Sequence, residues 1–239
     1  MASWKVNEKG EYIPFLGYTI LSMINDPKNE LKTIEEFLTS SVVSRYYAPL
    51  PHHTYHMTLF NIFAYNRDPI PSVRQWLLAE NQTLPKNEFL PEKVLKAQNG
   101  LATEAIKKCL GSSSLKIKDV SLDVSAVIKV NVVLDSRQEM DVKSLREDFS
   151  TIYEHPDASL KFHVTLAYLY NHMPTDGDES DKVKTDLEQL KEMIQKFKDF
   201  ELNKHNVYLF DSMVNYMPID SSKLGKEYTE EVLAEFDSG

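Results

Sequence analysis

Two short segments of the chain echo each other: Tyr55-His56-Met57-Thr58-Leu59 and Phe162-His163-Val164-Thr165-Leu166. Both read aromatic, His, apolar, Thr, Leu, and both sit in stretches with strand character. With 7 His, 12 Thr and 26 Leu among 239 residues, composition alone yields roughly 0.04 occurrences of His-x-Thr-Leu. The surroundings repeat as well. Each motif is preceded by a strand, around Gly17 and around Ala126, and then by a helix, at offsets of 39 and 37 residues. Each is followed by a helix and by further strand. A duplicated half with pseudo-two-fold symmetry is the fold that satisfies this pattern.

The rest of the chain fills in around the two motifs. Residues 15–24 are apolar and β-rich. Residues 31–43 carry Leu31, Ile34, Phe37 and Leu38 at helical spacing. Residues 46–53 contain Pro49 and Pro51 and read as an irregular loop. Ser72, after Pro71, is placed to cap a short helix through Leu78. Residues 91–110 read as a helix, 115–135 as two successive strands, 140–153 as a helix, and 181–200 as a strongly helical run. Strand character returns at 207–217. The acidic tail, 220–239, is left open between loose helix and disorder. Strands and helices alternate without the glycine-rich turns of a doubly wound nucleotide fold, so a mainly antiparallel α+β architecture is expected. The expected organisation is one bilobal domain, with halves at about 12–124 and 125–219 around a central cleft.

Residues two apart in a strand share a face. His56 therefore projects with Thr58, and His163 with Thr165, while Met57, Leu59, Val164 and Leu166 face a core. If the two halves face each other, one cleft collects two imidazoles and two hydroxyls. That set suits phosphoryl transfer without metal. Imidazole takes and gives protons near neutral pH, and in-line displacement needs a base beside the incoming oxygen and an acid beside the leaving one. The threonine hydroxyls can donate to the non-bridging oxygens, where charge concentrates. With hydrogen-bond reach on each side, the two reactive nitrogens are expected on the order of 5–7 Å apart.

At these residues the sequence resembles the 2H phosphoesterase superfamily, named for two His-x-Thr/Ser motifs on the central strands of a two-lobed α+β fold. The resemblance runs from about Gly17 to Tyr216. It implies His56 and His163 as catalytic residues and Thr58 and Thr165 as phosphate-binding residues. The implied activity is metal-independent hydrolysis of a cyclic or 2′-5′-linked phosphodiester in a nucleotide or short RNA, with no cofactor. The assignment of acid and base to the two histidines stays open. A non-catalytic module binding a nucleotide or RNA end, and a ligase running the reaction toward a 2′-5′ bond, are the alternatives.

Charge narrows the partner. Twenty-seven Lys and Arg against 36 Asp and Glu leave a net charge of −9, which disfavours gripping long duplex DNA through many phosphates and leaves room for a small anionic substrate. A single cysteine, Cys109, permits no intramolecular disulfide and is expected to be buried and inert. No leader-like segment and no apolar run long enough to cross a bilayer is present. A cytoplasmic monomer without membrane association is the expectation. His52 and His53 precede the first motif, but no carboxylate lies at ligand spacing in the sequence, so no metal is expected there. His155, His172 and His205 read as surface or turn residues, and Arg45 and Lys161 as solvated charges. Tyr18 and Tyr216 are the better-placed aromatics for stacking a base, though core packing competes for both. Tyr168 falls out of register with His163 and is expected in the core.

Overall fold

The computed structural model describes residues 5–83, 88–156 and 161–219. The tail from 220 lies outside them. The elements follow the order β1 (Gly17–Asn25), α1 (Lys32–Ser40), β2 (Tyr47–Pro49), β3 (His56–Ala64), α2 (Pro71–Ala79), α3 (Lys96–Cys109), β4 (Leu115–Val124), β5 (Val127–Leu134), α4 (Ser136–Ile152), β6 (His163–Leu169), α5 (Gly177–Met193), β7 (Glu201–Ser212) and β8 (Asn215–Pro218), with short 3₁₀ turns between some of them. Of the boundaries that differ from the sequence reading, three have clear local reasons. Pro71 occupies the first helical turn of α2 behind Ile70, where its missing N–H costs nothing; Ser72 is therefore not the cap. Asp135 starts α4 earlier than expected by accepting from the backbone N–H groups of Arg137 and Gln138. The segment expected as an irregular loop before the first motif contains β2, a three-residue strand that pairs with the far end of β6.

All strand pairings are antiparallel, and six strands close a ring in the order β1-β3-β6-β5-β4-β7. Two joints of the ring are narrow. β3 and β6 share one register pair, Met57 with Val164, and β4 and β7 share two. The ring is thus two curved sheets, β3-β1-β7-β8 and β2-β6-β5-β4, meeting at two seams. The pseudo-two-fold exchanges β3 with β6, β1 with β5, and β7 with β4. In space, β4 from the first part of the chain joins the second sheet, and β7 from the last part joins the first.

The motif strands bury their apolar residues against the helices and the core. β3 buries Met57, Leu59, Phe60 and Ile62, and β6 buries Val164, Leu166 and Ala167. Phe60 meets Phe149 and Tyr153 at the inner side of α4, with ring centroids 5.7 and 5.8 Å apart. Gly17 is a point of close approach. A Cβ there would clash with the Phe63 carbonyl oxygen and the Phe210 ring, because β1 is held between β3 and β7. Arg146 of α4 is buried, and its guanidinium donates to the carbonyls of Leu59 (2.8 Å) and Thr58 (3.2 Å) while lying 4.6 Å over the Phe162 ring. A single charged side chain from the second half thus touches both motif strands beside the seam.

Cys109 corrects the sequence reading: it lies on the exposed side of α3. The helix buries Asn99, Ala102, Thr103 and Ile106, and the thiol falls outside that stripe, against the backbone carbonyl of Asp141.

Candidate active site

The site begins with backbone register. Met57 and Val164, the middle residues of the two motifs, are paired across the β3–β6 seam. Continuing that register by one residue sets His56 opposite Thr165 and Thr58 opposite His163. An antiparallel pair extended in that register would put the two histidines on a diagonal, about 7–8 Å apart at the backbone. Along both strands the burial alternates as half-buried, buried, half-buried, buried over His56–Leu59 and His163–Leu166. All four motif side chains line one cleft of about 270 Å³.

Each motif is followed by a bulge. Against β1, Thr58 pairs with Leu21 and Phe60 with Ile20, so Leu59 is an extra residue. Against β5, Thr165 pairs with Lys129 and Ala167 with Ile128, so Leu166 is extra. An extra residue in one strand resets which face follows. The same leucine of both motifs therefore turns the third residue beyond each threonine into the cleft, Asn61 in β3 and Tyr168 in β6. Tyr168 is buried in the core as strict alternation predicts, and it also forms a wall of the cleft.

The imidazoles are oriented in the same way. His56 Nδ1 lies 2.7 Å from the Thr54 carbonyl oxygen, and His163 Nδ1 lies 2.8 Å from that of Lys161. A carbonyl only accepts, so each Nδ1 carries the proton and each Nε2 is left as the working nitrogen. The His56 ring also meets the Tyr216 ring edge-on at 4.7 Å.

Burial is the main influence on both imidazoles and disfavours their charged forms. His56 is lowered to about 4, chiefly by burial; its bond to Thr54 opposes the shift, and Lys5 and His163 add to it. His163 is lowered as well, first by burial and then by Lys129, Lys5 and Arg146, against its bond to Lys161. Burial raises the Tyr216 hydroxyl well above its usual range, so it stays protonated at neutral pH.

The cleft is lined by two cations, Lys5 and Arg67, and by no carboxylate among the described residues, in a chain that is net acidic. Lys5 was not singled out by the sequence. It precedes the first strand in a polar stretch, and its approach to the cleft depends on a tertiary fold-back. Tyr216 and the rings of Phe15, Phe63 and Phe210 complete the aromatic part of the lining. Tyr18 lies outside the cleft: it is buried and donates to the Leu90 carbonyl at 2.9 Å, while its neighbour Thr19 faces the cleft.

The remaining candidates fall elsewhere. Arg45 is exposed and paired with Glu179 at 2.8 Å, and Lys161 is exposed. His52 does have a carboxylate partner, remote in sequence: its Nδ1 and its backbone N–H both reach Glu35. Among the described residues, no group of three or more potential metal-ligating side chains forms. His172 is exposed. His205 is half-buried on β7 and not a turn residue: its Nε2–H donates to the Ser113 carbonyl, and its Nδ1 accepts from the buried Ser22 hydroxyl at 2.6 Å.

Comparison with known proteins bears on the family and the fold. A family model described as 2H-phosphodiest, a domain of unknown function (DUF1868), matches residues 5–72. Uncharacterized protein 127L of Invertebrate iridescent virus 6 is 41% identical over 223 residues, spanning 90% of this chain and 94% of the viral protein. The crystal structure of the conserved protein of unknown function ATU0111 from Agrobacterium tumefaciens str. C58 superposes with a TM-score of 0.58 at 15% identity, over 91% of this chain and 90% of that one; at that identity the likeness speaks to the fold. The chain belongs to the same family as protein 127L, and through residues 5–72 it matches the 2H-phosphodiest family. Among its described residues no helix is long and apolar enough to cross a membrane.

Proposed function

We propose that the protein is a phosphodiesterase that hydrolyses a cyclic or 2′-5′-linked phosphodiester in a nucleotide or short RNA by two-histidine acid–base catalysis. The observation that carries the reading is the convergence of His56, Thr58, His163 and Thr165 on one cleft whose lining is cationic and aromatic. The phosphorus sits between the two Nε2 atoms. One Nε2 takes a proton from the attacking water as the new P–O bond forms. The other gives a proton to the departing oxygen as the old P–O bond breaks, so a cyclic phosphate leaves as a phosphomonoester with a freed hydroxyl. The carbonyls of Thr54 and Lys161 hold each ring and favour the imidazolium as it forms. Thr58 and Thr165 donate to the non-bridging oxygens.

Burial keeps the imidazoles neutral near pH 7. A phosphodiester carries the negative charge that draws a proton onto one of them, so the acid is created by substrate binding. Both proton transfers are performed by side chains, and no metal or cofactor is assigned a role. A cleft of about 270 Å³ fits a small nucleotide or a single linkage of a short oligonucleotide, and the net charge of the chain fits a substrate with few phosphates. We read the chain as one bilobal unit acting as a cytoplasmic monomer. The test is a turnover assay in EDTA alongside calorimetry on the same ligands. Product formation with a bell-shaped pH profile supports the reading, and tight binding without product supports a binding module in its place.

A further inference from the structure

We propose that Lys5 is the phosphate-binding cation of this cleft, its ammonium donating to a non-bridging oxygen of the substrate phosphoryl group beside the threonine hydroxyls. The assignment rests on the reading above that phosphorus lies between His56 and His163.

Lys5 is carried to the cleft by a fold-back that fixes its position. Residues 5–13 form a tight loop closed by a bridge between Val6 and Tyr12 and by the Ile13 N–H donating to the Lys5 carbonyl. Inside it, the Asn7 side-chain oxygen accepts from the backbone N–H groups of Lys9 and Glu11. Gly10 turns the chain at a φ of +80°, so close to the Tyr170 ring that a Cβ would lie 3.1 Å from it. The loop is pinned to the body by Val6, which is fully buried, and by the Tyr12 hydroxyl donating to the Ala48 carbonyl at 2.8 Å.

The ammonium is held as firmly. Nζ lies 3.2 Å from the Tyr168 hydroxyl oxygen, 4.8 Å from the centre of the Tyr168 ring and 5.3 Å from that of Phe15. The Tyr168 hydroxyl passes its own proton on to the Met213 sulfur, so its oxygen faces Lys5 as an acceptor. Tyr168 stands where the second motif's bulge puts it, three residues past Thr165. The same bulge that builds the wall of the cleft therefore seats the cation. It lines the same cleft as His56, Thr58, His163 and Thr165, and its charge is felt at both imidazoles. A compact ammonium with three donors suits one oxygen of a tetrahedral phosphoryl group. A cation already fixed where charge develops needs no reorganisation during the reaction.

The experiment titrates inorganic phosphate into the full chain by calorimetry, comparing wild type, Lys5→Gln and Lys5→Arg, with turnover measured on the substrate found for the wild type. Lys5→Gln is expected to weaken phosphate binding about tenfold or more and to lower kcat/KM by a larger factor, while Lys5→Arg recovers most of both. Unchanged phosphate affinity in Lys5→Gln overturns the proposal. So does wild-type protein that fails to bind phosphate, or an equal loss in the Arg and Gln variants, which would mark a packing role. Phosphate binding that depends on Lys5 in a protein that turns over no phosphodiester sustains this assignment and counts against the catalytic reading alone.

Discussion

Met57 and Val164 face each other across the seam between β3 and β6, the one register pair that joins those strands. Because each is the middle residue of its motif, the pseudo-two-fold passes between them. Each histidine then stands across from the other motif's threonine. A phosphoryl group centred over this pair meets one imidazole and one hydroxyl from either side.

The hydroxyls are open to a direct test. Thr58→Val and Thr165→Val keep shape and remove a donor from a half-buried, cleft-facing position. Each substitution is expected to lower kcat about 10- to 1000-fold, with a change in unfolding free energy below about 1 kcal/mol. Steady-state kinetics and urea unfolding on the same samples check both halves of this expectation.

Stability should depend on pH through His56. Its folded-state value of about 4 lies below the ordinary 6.5. Between those limits the unfolded chain binds the proton that the folded chain refuses, so this stabilisation is complete above about pH 6.5 and is lost as pH falls toward 4. The size is on the order of 3 kcal/mol. Urea unfolding from pH 7.5 to 4.5 should show a shallower pH slope in His56→Gln than in the wild type, and equal slopes would refute the burial argument.

Gly17 allows β1 to pass between its neighbours. A methyl group there meets the Phe63 carbonyl and the Phe210 ring inside contact distance, and the backbone oxygen cannot move aside as a side-chain tip could. Gly17→Ala should destabilise the fold by about 1–3 kcal/mol. Because Phe63 and Phe210 also line the cleft, KM should rise with it. A variant with the wild-type melting temperature would mean that the strands separate more easily than this geometry implies.

Much of this was readable from the sequence because strand periodicity is a local property. The alternation of His56, Met57, Thr58 and Leu59 needs only a pleated backbone and one buried face, and the repeat near residue 163 doubles the signal. What escaped depends on contacts distant in sequence. Nothing in Leu59 or Leu166 announces a bulge, since an extra residue is defined by the strand opposite, so strict alternation finds the burial of Tyr168 but not its place in the cleft wall. Lys5 enters the cleft by a fold-back whose anchors, Ala48 and Tyr170, are far along the chain. Cys109 sits next to the apolar Leu110 and only the packing of α3 on α4 decides which of them is covered. The carboxylate on His52 comes from Glu35, 17 residues upstream.

The central claim is that two imidazoles from distant parts of the chain act on one phosphorus atom. The direct measurement is metal-free turnover, in EDTA, of a panel of 2′,3′-cyclic nucleotides, 2′-5′ oligoadenylates, cyclic dinucleotides and 3′-tailed RNAs, followed by mass spectrometry for wild type, His56→Ala and His163→Ala. The expected result is that the wild type converts at least one class, and that each variant, still folded, loses about three or more orders of magnitude in rate on that class. Full activity in both variants would contradict the account.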